Sequence, residues 1–226
     1  MKRKVITTKD GSKTIHLEDW NESYHSTHGA IQEAQHVYIR QGFKKSGLQN
    51  INILEFGFGT GLNAIITFLE AKTLPKSINY TALEAYPVSK KELEELNYLE
   101  SLNDDSLNKV YKLMHDSPWE EFISLSNKFT LKKLRMDFRE LAEVNQYDIV
   151  YYDAFGPRVQ PELWTREIFT KVFLAMKENG ILVTYSCKGS VRRALLECGF
   201  KVEKLPGPPG KREMLRAYKP ITGLKC

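Results

Sequence analysis

Apolar segments of five to seven residues alternate with helical segments between residues 51 and 185. The strands predicted from them cover residues 51–55, 78–84, 131–136, 148–152 and 181–185. The helices predicted between them cover residues 63–71, 89–100, 118–125 and 165–176. Strands that alternate with helices form a parallel sheet whose two faces are covered by helices. The middle of the chain therefore predicts an α/β fold.

The C-terminal part of the chain departs from this alternation. After a helix predicted over residues 190–198, strands predicted over 201–205 and 212–218 are joined by the short turn Pro206-Gly207-Pro208-Pro209-Gly210. Two strands joined by so short a turn are antiparallel. We therefore expect one reversed strand to finish the parallel sheet.

The first fifty residues also differ from the rest. Residues 5–17 predict a hairpin around the Asp10-Gly11 turn, and residues 29–41 predict a helix with one apolar face. We therefore expect an N-terminal extension over residues 1–50, in front of a single main domain over residues 51–226.

A glycine-rich turn follows the first predicted strand of the main domain, with Gly57, Gly59 and Gly61 separated by single residues. Glycine lets the backbone turn sharply and lets a ligand lie directly against the peptide groups. A dinucleotide-binding turn requires a small residue at position 62, where this chain has Leu62. The carboxylate of Glu55 would also repel a pyrophosphate. The turn therefore favours an adenosine-type cofactor that carries positive charge.

Two further acids lie at the ends of predicted strands. Glu84 ends the second strand, where a carboxylate can accept hydrogen bonds from both hydroxyls of a ribose. Asp137 follows the third strand, and ligands of open α/β sheets bind at the carboxyl ends of the strands, so we expect it near the adenine. Asp116 competes for this role but also suits the N-cap of a helix, so Asp137 is preferred.

Asp153 directly follows the fourth predicted strand and precedes Phe155 and a Gly156-Pro157 loop. At this place an acceptor molecule should meet the cofactor. A carboxylate there suits a nitrogen nucleophile, because it can orient an amine and take up its proton. The same anion stabilises the ammonium form, which cannot attack, so positioning and proton acceptance both stay open as roles.

Four motifs occur in order along the chain. They are LEFGFGTGLN at residues 54–63, YDAFGP at 152–157 followed by PELW at 161–164, Gly189 with Arg192-Arg193 and a later Cys198-Gly199-Phe200, and GKREML at 210–215. Together with residues 24–26 and 29–33, they resemble the methyltransferase domain of the bifunctional tRNA 5-methylaminomethyl-2-thiouridine biosynthesis protein family. The turn at residues 207–210 is more proline-rich than that family's pattern.

The resemblance implies a class I S-adenosylmethionine-dependent methyltransferase, with a Rossmann-like sheet and a final antiparallel strand. It implies that S-adenosyl-L-methionine donates a methyl group to the aminomethyl group of a modified wobble uridine in tRNA. The bifunctional members carry a second, FAD-dependent oxidase domain, and no counterpart of it is found in these 226 residues. We therefore expect a separate enzyme to supply the aminomethyl intermediate.

The motifs give a set of expected site residues. The cofactor is expected to contact Glu55, Phe56, Gly57, Gly59, Gly61, Asn63, Glu84, Ala85, Asp137, Phe138 and Asp153, and Asp153 is also the expected catalytic residue. For tRNA, Phe155 is expected to stack on a splayed base, with Tyr152 and Trp164 as further aromatic candidates, although Tyr152 suits the core. Phosphate contacts are expected from Lys188, Arg192, Arg193, Lys211 and Arg212, in a segment (186–226) with ten basic and three acidic residues.

The remaining composition excludes several classes of protein. No apolar run is long enough to cross a bilayer, and no apolar segment follows the basic N-terminus, so a cytoplasmic protein is expected. The three cysteines and the histidines at positions 25, 28 and 36 match no common zinc spacing, so no metal is expected.

Other functions stay open. A small-molecule methyltransferase or an aminopropyltransferase shares the sheet and the glycine-rich turn, although a polyamine pocket needs several acids where this segment has only Asp148 and Asp153. A non-catalytic RNA-binding module is the alternative from another class, and such modules usually lose residues like Gly59 or Asp153. The oligomeric state, the set of tRNAs and the thiolation of the base are also open.

Overall fold

The computed structural model describes residues 2–221, which form two β-sheets and seven α-helices. The small sheet contains β1 (Arg3–Thr7), β2 (Lys13–Leu17) and β3 (Glu22–Ser23). The large sheet contains β4 (Asn50–Phe56), β5 (Ser77–Leu83), β6 (Phe122–Ser126), β7 (Phe129–Leu134), β8 (Tyr147–Tyr152), β9 (Met176–Thr184), β10 (Lys201–Pro206) and β11 (Glu213–Tyr218).

The helices lie mostly between strands of the large sheet. They are α1 (Ala30–Ala34), α2 (Leu62–Lys72), α3 (Lys90–Glu94), α4 (Tyr98–Leu102), α5 (Leu107–Asp116), α6 (Arg166–Ala175) and α7 (Gly189–Glu197). A π-helical segment, Gln35–Arg40, continues α1, and short 3₁₀ turns occupy Phe43–Lys45, Phe138–Glu140 and Pro161–Trp164. None of the helices in the described part of the chain is both long and apolar enough to cross a lipid bilayer.

The large sheet has the strand order β10-β11-β9-β8-β4-β5-β7-β6. Its five central strands β9, β8, β4, β5 and β7 are parallel, whereas β11, β10 and β6 run antiparallel to their neighbours. The reversed strand expected from the short turn after residue 205 is therefore confirmed. It lies between β9 and β10 rather than at the edge of the sheet.

Two hydrophobic cores cover the two faces of the large sheet. Along β8, Ile149 and Tyr151 face one core whereas Val150 and Tyr152 face the other, and all four are fully buried. A strand buried on both faces reads as a continuous apolar run, which is the pattern that predicted a parallel sheet. The first core includes α1, α2 and α5, and the second includes α6 and α7.

The structure corrects the prediction for residues 118–125. This segment is not a helix, because Phe122–Ser126 forms β6, whose inward residues Ile123 and Leu125 alternate with exposed Phe122 and Ser124. A period of two residues indicates a strand. Conversely, α5 forms at Leu107–Asp116, where no helix was predicted.

The helix predicted over residues 89–100 is interrupted, and it forms α3 and α4 instead. Asn97 lies at the interruption, where its side-chain oxygen accepts from the Lys13 N–H (2.7 Å) and its amide donates to the Gly11 carbonyl (3.0 Å). The break therefore gives the N-terminal hairpin two hydrogen bonds that a continuous helix would not place there.

The predicted N-terminal hairpin is confirmed, since β1 and β2 pair antiparallel with Val5 opposite Ile15. The unpredicted strand β3 extends it to three strands. The predicted division at residue 50 stays a prediction, and Val37, Tyr38 and Ile39 of the extension lie in the first core.

Candidate active site

A cleft of about 1130 Å³ opens at the carboxyl ends of the parallel strands. Its walls come from the loops after β4, β5, β7, β8 and β9, together with residues of the N-terminal extension and the turn between β10 and β11. Open α/β sheets bind ligands at this edge. The volume slightly exceeds that of a typical pocket for one small molecule.

The glycine-rich turn forms one wall of this cleft. Gly57 and Gly59 line it and have positive φ angles of +92° and +50°, which side chains rarely adopt. A Cβ atom at Gly57 would lie 2.8 Å from the Asp153 carbonyl oxygen, and one at Gly59 would lie 3.0 Å from the Tyr24 ring. Gly61 does not line the cleft, and its Cβ would meet the ring of His115 at 3.0 Å. Close packing therefore requires glycine at all three positions.

Glu84 lies at the carboxyl end of β5, beside the glycine-rich turn. One carboxylate oxygen accepts from the Gly59 N–H (2.9 Å) and the other from the Tyr86 N–H (2.8 Å). A carboxylate oxygen has two lone pairs, so each oxygen can accept one further hydrogen bond from a ligand in the cleft. The backbone thus holds the Glu84 carboxylate with acceptor positions open to the cleft.

Asp137 and Phe138 follow β7 and line the cleft together with Ala85. The Arg139 guanidinium donates to both carboxylate oxygens of Asp137 (2.8 and 2.6 Å), and this contact lowers the pKa of Asp137 below its ordinary value. The competing candidate, Asp116, ends α5 and forms ion pairs with two lysines instead of capping a helix N-terminus.

Asp153 follows β8 and lines the cleft beside the glycine-rich turn. Its Oδ1 accepts from the Tyr38 hydroxyl (2.5 Å), and its Oδ2 accepts from the Asn63 amide (2.8 Å). Burial raises the pKa of Asp153 to about 7, although these two hydrogen bonds oppose the shift. The carboxyl group can therefore exchange a proton near neutral pH.

Asn63 joins Asp153 to a second acid behind the cleft wall. The same amide nitrogen donates to Glu55 Oε1 at 2.9 Å. Glu55 is fully buried, which raises its pKa well above its ordinary value, and Phe56 is buried as well. The structure therefore does not place Glu55 and Phe56 on the cleft surface, where we expected them to contact the cofactor.

Aromatic rings line the cleft next to Asp153. Phe155 makes edge-to-face contacts with Trp20 (ring centroids 5.6 Å apart) and with Tyr24 (5.0 Å). Trp164 donates its indole N–H to the Phe155 carbonyl, which holds the backbone there. Trp164 and Tyr152 belong to the second core, so they are not available to stack on a base.

The five predicted phosphate-binding cations occupy different environments. Lys211 lines the cleft, where its ammonium forms an ion pair with Glu33. The other four do not line it, and in the part of the chain that the structure describes none of them forms an ion pair; they are Lys188, Arg192, Arg193 and Arg212. Because α7 begins directly after β9, Lys188 lies at the same edge of the sheet as the cleft.

A family model described as S-adenosyl-L-methionine-dependent methyltransferase matches residues 104–220, just over half of the chain. The chain belongs to this family. The cofactor of this methyltransferase is therefore S-adenosyl-L-methionine, as expected from the glycine-rich turn and the acids that follow it. The large sheet and its reversed strand are the class I methyltransferase fold, so the predicted fold class is confirmed.

Similar proteins were found among sequences and solved structures. An uncharacterized protein of Methanocaldococcus jannaschii is 27% identical over 95% of this chain and 59% of its own length. The tRNA 5-methylaminomethyl-2-thiouridine biosynthesis bifunctional protein MnmC of Paracidovorax citrulli is 30% identical over 88% of this chain and 33% of its own. The crystal structure of MNMC2 from Aquifex aeolicus matches with a TM-score of 0.80 and 29% identity, over 96% of this chain and 70% of that one. The methyltransferase therefore spans between a third and three fifths of the length of these two sequence relatives.

The cleft of the methyltransferase fits its cofactor on structural grounds. Gly57 and Gly59 line the cleft with backbone atoms only, so a ligand can lie against their peptide groups. Glu84 offers fixed acceptors to the hydroxyl groups of such a ligand.

Several residues of the cleft were missed by sequence reasoning. Arg3, Trp20, Tyr24 and Glu33 line the cleft although they belong to the N-terminal extension, and Tyr38 supports Asp153 from the same region. The only signal was the similarity of residues 24–26 and 29–33 to the family pattern, to which no role was assigned. Among residues 2–221, no group of three potential metal-binding side chains is found.

Proposed function

We propose that this methyltransferase transfers the methyl group of S-adenosyl-L-methionine to the aminomethyl group of a modified wobble uridine in tRNA. The observation that carries the proposal is Asp153, a carboxyl group with a pKa near 7 that faces the cleft beside the glycine-rich turn. Such a group suits an amine acceptor, because it can orient the amine and take up the proton that the nitrogen loses. The similarity to a protein named for tRNA 5-methylaminomethyl-2-thiouridine biosynthesis supports this choice of acceptor.

The residues around the turn hold the cofactor in this proposal. The backbone at Gly57 and Gly59 lies along it, Glu84 accepts from the ribose hydroxyls, and Ala85, Asp137 and Phe138 surround the adenine. When bound, S-adenosyl-L-methionine supplies an electrophilic methyl group on a sulfonium. Asn63 acts through Asp153, whereas Glu55, Phe56 and Gly61 shape the wall from behind.

Asp153 orients the acceptor amine and then takes up its proton. The amine attacks with its lone pair, a nitrogen–carbon bond forms as the sulfur–carbon bond breaks, and the nitrogen loses one proton. A fully exposed carboxylate would hold the amine as ammonium, which cannot attack. Burial brings the pKa of Asp153 close to neutral and weakens that hold, so positioning and proton acceptance are compatible in one residue.

The acceptor enters from the side of Phe155 and Trp20. Splayed bases of single-stranded RNA stack on aromatic rings, and these two rings lie next to Asp153. Lys188, Arg192, Arg193 and Arg212 contact phosphates of the anticodon region. Cations without ion-pair partners suit that role because counterion release drives binding to nucleic acid.

Methyl transfer to tRNA tests the proposed function. The purified chain is incubated with methyl-labelled S-adenosyl-L-methionine and tRNA that carries 5-aminomethyl uridine at the wobble position, and the nucleosides are analysed by mass spectrometry. We expect one methyl group on the aminomethyl nitrogen. The same tRNA with a carboxymethylaminomethyl group should stay unmodified, because another enzyme has to release the free amine first. Label in free amines but not in tRNA would indicate a small-molecule methyltransferase instead.

A further inference from the structure

The turn between β10 and β11 contacts the N-terminal extension across one end of the cleft. Lys211 in this turn forms an ion pair with Glu33 of α1, although 178 residues separate them. The Lys211 ammonium also lies 3.9 Å from the centroid of the Tyr185 ring. Glu33 is only 6% exposed, and its second oxygen accepts from the Ser26 N–H at 2.8 Å. Glu33 is therefore held by the Ser26 N–H, and Lys211 is held by its contact with the Tyr185 ring.

Close packing on either side keeps this turn in place. The Pro206 carbonyl lies 2.8 Å from Nε2 of His36, within hydrogen-bond distance. Gly210 packs so tightly that a Cβ atom there would lie 2.1 Å from the ring of His28. The ion pair thus has a defined position in the cleft that Asp153 also lines. The Tyr185 ring beside Lys211 reaches the carbonyl of Ala154, the residue after Asp153.

The polar groups that interact with Asp153 come from seven elements. They are Tyr38 from the π-helical segment, Asn63 from α2, Glu55 from β4, Tyr80 from β5, Glu33 from α1, Lys211 from the β10–β11 turn and Tyr185 after β9. Burial raises the pKa of Glu55 well above its ordinary value, and the Tyr185 hydroxyl donates to the Ala154 carbonyl. Glu33 and Lys211 form the ion pair in this set.

We propose that the Glu33–Lys211 ion pair sets how readily Asp153 holds a proton in the reaction proposed above. The two residues are positioning residues, because neither has to touch the reacting atoms. Each acts on Asp153 through space, and the effects are opposite: the carboxylate of Glu33 favours the protonated form, and the ammonium of Lys211 favours the ionised form.

The charges of Glu33 and Lys211 matter because the pKa of Asp153 lies close to neutral pH. Burial raises its pKa, Glu33 raises it further, and Lys211 lowers it. Loss of the carboxylate would make Asp153 a weaker base that binds the acceptor as ammonium. Loss of the ammonium would make Asp153 keep its proton to higher pH. Lys211, which we expected to contact a phosphate, lies inside the cleft and pairs with a carboxylate.

Two substitutions remove the two charges one at a time, and each nearly keeps the size of the side chain. Glu33→Gln keeps the length and an acceptor for the Ser26 N–H, and Lys211→Met keeps the chain that lies over the Tyr185 ring. The matched control is Lys204→Met, which removes the partner of Glu213 (3.0 Å) on the same hairpin and outside the cleft. The double variant Glu33→Gln/Lys211→Met removes both charges.

Two measurements follow Asp153 directly. The first is the pH dependence of single-turnover methyl transfer to aminomethyl-uridine tRNA. The second is an NMR titration of the Asp153 side-chain carboxyl carbon in the protein without ligands, with the signal assigned from Asp153→Asn. If the ion pair had only a structural role, the two single variants would change the rates or the stability. They would not move the titration midpoint of Asp153 in opposite directions.

The expected order of midpoints is Glu33→Gln lowest and Lys211→Met highest, with at least about half a pH unit between them. The wild type, the double variant and Lys204→Met should lie between the two. Equal midpoints in the two single variants, or the reverse order, would overturn the proposal. If the wild type fails to methylate tRNA, the proposed function fails, whereas the NMR order still decides whether the ion pair controls Asp153.

Discussion

The two sides of the cleft are built in different ways. The side that we propose holds the cofactor, around Gly57, Gly59 and Glu84, consists of loops that directly follow neighbouring parallel strands; it is called the cofactor side below. The side that we propose receives the acceptor, around Trp20, Phe155 and Lys211, is assembled from the N-terminal extension, the loop after β8 and the last hairpin; it is called the acceptor side. The backbone fixes the cofactor side, whereas side-chain contacts between distant segments fix the acceptor side.

This difference in construction indicates which part of the site determines specificity for the acceptor. Backbone hydrogen bonds and positive φ angles on the cofactor side leave little room for change without loss of the fold. On the acceptor side, Arg158 holds the loop after β8 to the Trp20 and Asn21 carbonyls, and Lys211 holds the last hairpin to Glu33. Substitutions should therefore separate cofactor binding from acceptor binding.

The largest effect is expected at Asp153, where the two sides meet. Asp153→Asn keeps the shape and removes the base, so we expect the rate of methyl transfer to fall by about 10²–10⁴-fold. Affinity for S-adenosyl-L-methionine should change little. Single-turnover kinetics and calorimetry of cofactor binding on the same preparation check both statements.

The hydrogen bonds around Asp153 indicate that this variant folds. The Tyr38 hydroxyl can rotate to accept from the new amide, while Asn63 still donates to the remaining oxygen. Turnover within about twofold of the wild type would show that Asp153 neither positions the amine nor accepts its proton.

A smaller effect is expected on the cofactor side. Glu84→Ala removes the acceptor that the Gly59 and Tyr86 N–H groups hold in place. Hydrogen bonds to a charged group contribute about 1.5–3 kcal/mol, so the cofactor should bind about 10- to 100-fold more weakly. The dissociation constant of tRNA, measured without cofactor, should stay the same.

The matched control for this change is Glu94→Ala, an exposed acid on α3 that does not line the cleft. Equal cofactor affinity in Glu84→Ala and Glu94→Ala would show that the ribose lies elsewhere.

The same contrast explains how much of the fold and the site could be predicted from the sequence. The parallel strands and the residues Gly57, Gly59, Glu84 and Asp153 follow from local patterns, because each residue stands at the end of an apolar run. Tyr38 and Glu33 carry no such pattern, since their partners are 115 and 178 residues away. Contacts of that range depend on packing, which a single sequence does not display.

Two expectations from the local sequence differ from the structure, and each difference has a physical cause. Residues 118–125 resemble a helix in composition, yet pairing with β7 turns Phe122–Ser126 into a strand. Lys211 resembles a free cation in the basic C-terminal segment, yet the fold brings it to a buried carboxylate. In both cases, a tertiary contact overrides the local preference.

On the acceptor side, a moderate effect is expected from Trp20→Ala. Stacking of a base on an aromatic ring contributes about 1–3 kcal/mol, and Trp20 shares the task with Phe155, so KM for tRNA should rise about tenfold. The dissociation constant of the cofactor should not change. A loss of cofactor affinity without any change in KM for tRNA would reverse the assignment of the two sides.

The smallest effect is expected from Lys188→Ala, at the far edge of the acceptor side. Each phosphate contact contributes about 0.9 to the slope of log affinity against log salt for a duplex and about 0.7 for a single strand, so the slope should fall by about that amount. Affinity for tRNA at physiological salt should fall only about two- to threefold. The control is Lys128→Ala, an exposed lysine just before β7 and thus at the opposite edge of the sheet. Filter binding of tRNA over a range of salt concentrations measures both slopes. An equal decrease of the slope in Lys188→Ala and Lys128→Ala would mean that net charge alone attracts tRNA and that tRNA does not bind beside the cleft.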